Sequence, residues 1–300
     1  MKPLVKPILK PAWKWSSSAL VISAVLMMAL LLASCGSNQG ENLAQYNFKQ
    51  GYEGLKVKFM ENSPPEEVYP FSEFKIIVEL ENLGAYDITD GTVAILGLEE
   101  KYFFVYPPEQ EFDRLLGRSL TNPSGDLVPK EFDVASEDLF QNAEEYVGNY
   151  FLKVNYNSEM EFADSICIKP NLYSTYDAGC EVEEKSYRGQ GGPLAVTKLV
   201  EIISPGSGVE FRLDLENKGR GKVGTATLRR ARLGNEPIEC RFSGEASDLR
   251  STKFDREEQK EVIICRKAFI AGQSSYTTTL SIEFSYDYEL VQQEKLTMVK

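Results

Sequence analysis

The chain has 300 residues, of which 42% are hydrophobic and 26% are charged, so it is long enough for two ordinary globular domains and too apolar for disorder. Its net charge is −12, and because an acidic surface repels phosphate backbones, nucleic-acid binding is excluded as the main function. The sequence has no histidine, which excludes Ser-His-Asp and Cys-His catalysis as well as histidine-ligated metal sites.

The first 35 residues predict an export signal. Four lysines and no acidic residue precede an uncharged stretch whose apolar run, 19–33, suits the core of a signal peptide and is short for a membrane span. Lysines on this side stay in the cytoplasm, which places the following residues on the outer face of the membrane. Residues 36–52 predict a flexible tether. Residues 36–300 then hold 29 Lys and Arg against 45 Asp and Glu, a net charge of −16.

The end of the apolar run resembles the lipobox of bacterial-type lipoprotein signal peptides, which has a leucine, two small residues and a cysteine. Here these residues are Leu32, Ala33, Ser34 and Cys35. The resemblance implies that Cys35 is lipidated and becomes the mature N-terminus. The alternative is an uncleaved signal anchor, which leaves the chain tethered to the same face of the membrane.

Four cysteines follow Cys35, and an even number in an exported chain predicts two disulfides. Three pairings can be drawn among them. We expect Cys167–Cys180 and Cys240–Cys265, because neighbours within the same half of the chain are the most apt to meet. No two of these cysteines have the CxxC spacing of a zinc site, and we predict no bound metal.

Alternation of apolar and charged residues predicts strands through the rest of the chain. Phe74–Glu81 and Val209–Glu216 alternate with period two, the pattern of a strand with one buried face and one wet face. Each strand runs into Glu-Asn-x-Gly, at 81–84 and at 216–219, and each turn is followed by Gly-Thr and a further strand. The strand and the Glu-Asn-x-Gly turn recur at a constant offset of 135 residues, which predicts an internal duplication.

The ends of the two halves also correspond. Residues 152–156 alternate as residues 280–288 do, and a further short strand is predicted after each, at Ser165–Lys169 and Gln293–Val299. About seven short strands in each half, with turn signals between them, predict an all-β fold of two tandem Ig-like antiparallel β-sandwich domains. The predicted boundaries are 53–170 for the first sandwich, 171–193 for a linker and 194–300 for the second sandwich.

The alternating strand, the Glu-Asn-x-Gly turn and the Gly-Thr that follows resemble the Ig-like extracellular modules typified by CARDB, the cell-adhesion-related domain found in bacteria. The matching residues are Phe74–Ile95 and Val209–Leu228. The whole chain also resembles exported archaeal and bacterial surface proteins with tandem domains of this type. The resemblance implies an Ig-like fold and a surface role, and it implies no catalytic residues.

The first half contains a predicted insertion, 102–143, in which prolines and a glycine favour loop structure with one short helix at Glu109–Leu116. Long loops at the end of a sandwich often carry binding surfaces, and an equally good interpretation is a loop that covers a sheet edge. The insertion opens with an aromatic run that fits sheet core, and within it Tyr102, Phe104 and Tyr106 form a candidate binding patch.

Other patterns do not predict a catalytic or cofactor site. Gly219–Gly224 fits the letters GxGxxG, but strands are predicted on both sides, whereas dinucleotide binding needs a helix after the glycines. Asp87 and Asp90 lie in a turn that could offer oxygens to Ca²⁺, but they lack the run of ligands of an EF-hand loop. Neighbouring acids such as Glu144 and Glu145 point to opposite faces of a strand, which favours a solvated surface. We therefore predict no catalytic residues and no cofactor.

These features predict a non-enzymatic, membrane-anchored pair of Ig-like modules on the cell surface, which serves binding, adhesion or scaffolding and whose partner is another surface protein or a polymer. One alternative is a secreted hydrolase that works with acidic residues alone, as an acid-only glycosidase does. A weaker alternative is a subunit of a surface filament or secretion apparatus, in which exposed sheet edges pair with neighbours.

Overall fold

The computed structural model describes residues 47–140, 143–170, 179–244, 249–269 and 274–300, and Asn47–Lys300 forms one compact unit. All regular elements in these ranges are strands. In chain order they are β1 (Leu55–Phe59), β2 (Glu67–Val68), β3 (Glu73–Asn82), β4 (Ile88–Leu96), β5 (Phe103–Tyr106), β6 (Glu109–Phe112), β7 (Leu127–Ser136), β8 (Glu145–Ile168), β9 (Lys185–Ser186), β10 (Leu194–Ser204), β11 (Gly208–Asn217), β12 (Lys222–Leu233), β13 (Glu236–Pro237), β14 (Glu239–Phe242), β15 (Ser251–Lys253), β16 (Lys260–Ala268) and β17 (Tyr276–Val299).

The strands form three sheets, which are antiparallel except that the short β2 runs parallel to β17. A four-stranded sheet has the order β1-β3-β7-β5, and a five-stranded sheet has the order β14-β16-β11-β10-β9. The central sheet has the order β13-β12-β17-β8-β4-β6, with β15 beside β12 and β2 beside β17. The predicted fold class, all-β with antiparallel sandwich layers, is confirmed.

The two longest strands join the halves of the chain. β8 and β17 are each 24 residues long and pair antiparallel over their whole length. β8 ends the first half and β17 ends the second, so both halves share one sheet. The separate short strands expected at Ser165–Lys169 and Gln293–Val299 are wrong, because these residues continue the two long strands.

The four-stranded and five-stranded sheets cover the same face of the central sheet. The even-numbered residues of β8 from Tyr150 to Phe162 are buried, whereas the odd-numbered ones are exposed or half-buried. In the first half Phe59 packs edge-on against Tyr150, and in the second half Phe162 packs edge-on against Tyr187, directly after β9. The buried side chains of both halves form a continuous hydrophobic core, and the other face of the central sheet meets solvent.

The repeated Glu-Asn-x-Gly motif makes the same hydrogen bonds in both halves. The side chain of Asn82 accepts a hydrogen bond from the N–H of Gly84 at 3.0 Å and donates one to the carbonyl of Tyr86 at 2.9 Å. Asn217 makes the equivalent bonds, at 3.0 and 2.7 Å, to the residues two and four positions further along. An asparagine suits this turn because its side chain both accepts and donates.

Residues 102–143 supply strands to two sheets. β5 and β7 belong to the four-stranded sheet, and β6 pairs with β4 in the central sheet. The helix expected at Glu109–Leu116 is therefore wrong. The Phe112 ring lies over Gly91, in space that any side chain on Gly91 would need. Burial of Phe112 and Leu115 in the core outweighs the helix propensity of this short segment.

The predicted linker, 171–193, is described from Gly179 onward, and it is not all loop, because it contains β9, which pairs with β10. It is also hydrogen-bonded to the first half. The N–H of Gly191 donates to the carbonyl of Gly51 at 3.0 Å, and the carbonyl of Gly191 accepts from the N–H of Ala85 at 2.7 Å. These two bonds attach the start of the second half to the first. The flexible tether predicted at 36–52 is wrong for its described end, 47–52, because Gly51 makes these bonds and Lys49 forms an ion pair with Glu161.

Both expected disulfides are present. Cys167 and Cys180 are joined with their Cα atoms 5.6 Å apart. Cys240 and Cys265 are joined where they stand directly opposite each other on β14 and β16. Two disulfides fit an oxidising, extracytoplasmic compartment.

Candidate functional site

The candidate patch lies on the edge strand of the four-stranded sheet. Successive side chains of β5 point to opposite faces. Phe103 is therefore buried in the core, whereas Phe104 and Tyr106 are 57% and 67% exposed on the outer face. The structure thus brings together two of the three residues that the sequence singled out.

Tyr102, the third of these residues, is separated from the other two. It precedes β5, and its ring stacks on that of Tyr146 at a centroid distance of 3.8 Å. The ammonium group of Lys101 lies 5.1 Å from the centre of the Tyr102 ring. Tyr102 therefore packs against Tyr146 at the start of β8 and does not belong to the exposed patch.

A shallow hollow of about 420 Å³ lies beside Phe104 and Tyr106. The strand register places Phe104 opposite Ala135 of β7 and Tyr106 opposite Asp133 of β7. On the far side of β7, Glu73 and Lys75 of β3 lie opposite the same two residues. The outer face therefore has aromatic side chains on its edge strand β5 and charged side chains on β7 and β3.

Most of the charged side chains on the outer face of β7 and β3 are acidic. The Lys75 ammonium lies 2.6 Å from Glu131 and 3.7 Å from Asp133, and the hydrogen bond to Glu131 raises the pKa of Lys75 above its ordinary value. Glu73 lies two residues before Lys75 on β3, so this face carries three carboxylates and one ammonium group. The face next to the aromatic edge therefore carries net negative charge.

Phe71 is a further aromatic residue of this region, and the sequence analysis missed it. It is 73% exposed, more than any other large hydrophobic side chain in the described ranges. It lies two residues before Glu73, in the turn that leads into β3. The signal was available as Tyr69-Pro70-Phe71-Ser72, a turn sequence with a bulky residue after the proline. We call Phe71, Phe104 and Tyr106 the aromatic end.

The solvent face of the central sheet carries a second, polar hollow of about 440 Å³. Glu161 of β8 and Glu283 of β17 stand directly opposite each other in it. Lys49 lies 2.6 Å from Glu161, and Arg230 lies 3.3 Å from Glu283. Each carboxylate is thus held in an ion pair of its own.

The turns considered for cofactors and calcium have structural partners. β12 begins at Lys222, so Gly224 already lies in a strand where a dinucleotide site needs a helix. Asp87 forms an ion pair with Arg114 and accepts a hydrogen bond from the N–H of Gly117 at 2.9 Å. Partial burial raises the pKa of Asp87, but the hydrogen bond from Gly117 and the ion pair with Arg114 outweigh burial and hold the pKa below its ordinary value. Across the described ranges, no three His, Cys, Asp or Glu residues are grouped as metal ligands.

The predicted anchor lies outside this part of the chain. Cys35 and the signal that precedes it are not among the described residues. Within the described ranges, no helix has the length and apolar character needed to cross a membrane. Lipidation of Cys35 stays a prediction.

One acidic side chain points into the sandwich of the second half. Glu201 of β10 is on the same strand face as the buried Leu199, and it pairs across the sheet with the buried Phe211. One of its carboxylate oxygens is buried with no hydrogen-bond partner in the described structure. Burial raises the pKa of Glu201 to about 7, and attraction to Lys185 opposes this only in part.

We expect Glu201→Gln to stabilise the protein above neutral pH. The pKa of Glu201 is higher in the folded than in the unfolded chain, so the wild type loses stability as the pH rises from about 4.5 through about 7. Allowing for solvent at this half-buried position, the gain at pH 8 is about 1–2 kcal/mol, with little change at pH 4. Urea unfolding at both pH values measures it, and the exposed Glu239→Gln serves as the control. Equal gains at pH 4 and pH 8 would contradict the assignment.

Comparison with known proteins yields only distant structural likenesses. No protein-family model matches the chain, and no curated protein matches it. The chaperone DraB of E. coli is 10% identical, with 76% of this chain and 86% of that chain covered and a TM-score of 0.20. The Salmonella enterica SafA pilin in complex with the SafB chaperone gives 9% identity, coverage of 74% and 93%, and a TM-score of 0.20.

A PapD-like domain of human CEP192 is 11% identical, with 36% of this chain and 72% of that chain covered and a TM-score of 0.18. Likenesses this distant carry no information about function. The resemblance to CARDB modules stays a prediction.

Proposed function

We propose that the protein is a non-enzymatic binding module on the outer face of the cell membrane, whose aromatic end engages another surface protein or a polymer. The observation that supports this most directly is the exposure of Phe104 and Tyr106 beside each other on one edge strand. Clustered exposed aromatic side chains mark interaction sites, because covering them removes a large apolar area from water.

Attachment to the membrane is part of the proposal. A lipid on Cys35, or an uncleaved signal anchor, would hold the chain, and residues 36–46 would separate the body, which begins at Asn47, from the bilayer. The acidic body disfavours contact with anionic lipid headgroups, which favours display away from the membrane surface. The two disulfides suit the same compartment.

The shared central sheet suits a scaffolding role. Because β8 and β17 pair along 24 residues each, the two halves move as one body, and the aromatic end is held at a fixed position relative to the second half. Free edges of the described sheets belong to strands of only two to five residues. Such short edges offer few backbone groups for pairing, so we do not favour assembly into a filament by edge pairing.

We expect the double substitution Phe104→Ser and Tyr106→Ser to abolish partner capture without unfolding the protein, because both side chains are already exposed. Crosslinking on intact cells, followed by mass spectrometry, should show a loss of at least about tenfold in captured partner. Leu127→Ser is the matched control, since Leu127 is 51% exposed at the other end of the same outer face. Capture that survives the double substitution, with an unchanged unfolding midpoint, would refute this use of the patch.

The alternative, an acid-only hydrolase, has one observation in its favour, which is the pair formed by Glu161 and Glu283. Residues directly opposite each other in a sheet have Cβ atoms about 5 Å apart, a spacing that suits two cooperating carboxyl groups. Their separate ion pairs with Lys49 and Arg230 argue for a structural role. Release of reducing sugar from a polysaccharide panel, lost in Glu161→Gln and Glu283→Gln, would favour the enzyme instead.

A further inference from the structure

The turn that carries Phe71 adopts a backbone conformation that suits its sequence poorly. Phe71 has a φ of +57°, in the left-handed region that a bulky side chain rarely occupies. Pro70 followed by a left-handed residue is the arrangement of a type II turn, in which that position normally holds Gly or Asn. Phe71 is also largely exposed, so no packing in the described structure compensates for the strain.

A buried serine holds this turn in place. The hydroxyl of Ser136 donates to the carbonyl of Tyr69 at 2.6 Å and accepts from the N–H of Ser72 at 2.9 Å. The N–H of Ser136 donates to the carbonyl of Ser72 at 2.9 Å. Ser136 pairs with Phe103 across β7 and β5, so the turn lies at the same end of the sheet as Phe104.

The aromatic end has the spacing and charge to receive an extended chain. Phe104 and Tyr106 are two residues apart on a strand, about 7 Å, which equals the repeat of side chains along one face of an extended polypeptide. Asp133 lies directly opposite Tyr106, and Glu73 lies one strand further away, while Lys75 is engaged by Glu131 and Asp133. A partner with apolar side chains on one face and basic side chains between them would complement both features.

We propose that Phe71, Phe104 and Tyr106 together dock an extended, basic segment of a partner polypeptide. This inference rests on the proposed function and names the chemistry of the partner. The hydrogen bonds to Ser136 fix the turn, and they leave the Phe71 side chain exposed and available for contact with that segment.

Phe71→Gly separates binding from folding. Glycine adopts the left-handed conformation freely, so relief of strain offsets the added freedom of the unfolded chain, and the unfolding midpoint should stay unchanged or rise. The probe is a fluorescent synthetic peptide in which valine and lysine alternate, and its affinity is measured by anisotropy. We expect Phe71→Gly to weaken binding by at least about tenfold. Leu127→Ser is the control and should leave the affinity unchanged.

Charge is tested separately. Asp133→Lys should weaken binding of the basic peptide and remove the salt dependence of that binding. A peptide in which valine and glutamate alternate should not bind the wild type. Three results would each overturn the inference. The wild type and Phe71→Gly could bind the basic peptide with equal affinity, the acidic peptide could bind the wild type as tightly as the basic one, or a neutral polysaccharide could bind in place of the peptide. If capture on cells still depends on Phe104 and Tyr106 in that event, the proposed function stands and only the nature of the partner is wrong.

Discussion

Replacing Phe284 with alanine is expected to destabilise both halves of the protein together, by about 3–5 kcal/mol. Phe284 is 1% exposed on β17, opposite the buried Met160 of β8 on one side and Leu228 of β12 on the other. The substitution leaves a cavity beside the pair of strands that both halves share. The free energy of unfolding should therefore fall for the whole core.

The measurement is unfolding in urea, followed by far-UV circular dichroism and by hydrogen exchange in each half. We expect a single transition, because β8 and β17 pair across the two halves over their whole length and the buried side chains of both halves form one continuous core. Phe132→Ala is the matched comparison, since Phe132 is fully buried but lies in the four-stranded sheet of the first half. It should shift the same transition. Separate transitions for the two halves would show that the shared strands do not couple them.

Removing the disulfide between Cys240 and Cys265 is the other change with a large expected effect. The double substitution Cys240→Ala and Cys265→Ala should lower the free energy of unfolding by about 3 kcal/mol, because the bond closes a loop of 25 residues in the unfolded chain. In the folded protein it ties the edge strand β14 to β16. The amides of β14 should therefore gain the most hydrogen exchange.

The pair Cys167→Ala and Cys180→Ala provides the comparison. This disulfide joins β8 to the segment before β9 across a separation of 13 residues, so its removal should cost a similar free energy without speeding exchange in β14. The expectation fails if β14 exchanges equally fast in both variants, or if loss of Cys240–Cys265 leaves the unfolding midpoint where it was.

Much of the fold follows from patterns that are local in the sequence. The alternation in Phe74–Glu81 and Val209–Glu216 assigns one face of β3 and of β11 to the core, because side chains of a strand alternate between its faces. The Asn-x-Gly turns were predictable for a similar reason, since the Asn82 and Asn217 side chains bond to backbone groups only two and four residues away. The disulfides join cysteines that are near neighbours in the chain.

The candidate site was predictable only in part. Composition located the aromatic run. Strand alternation in β5 then exposes Phe104 and Tyr106. Tyr102 is not part of the patch because it stacks on Tyr146, which lies 44 residues further along the chain. Phe71 was missed because its conformation depends on Ser136, a residue far from it in sequence. The helix expected at Glu109–Leu116 failed because pairing with β4 decides that segment.

By itself, then, the sequence determined that the fold is all-β, which faces of β3 and β11 are buried, where the repeated turns fall and which cysteine pairing to expect. Only the tertiary structure decided that β8 and β17 each continue for 24 residues and pair with one another, so that the halves share a sheet. The physical reason is that alternation specifies the faces of a strand but not its partner. Partners are selected by backbone hydrogen bonds and core packing between residues more than a hundred positions apart.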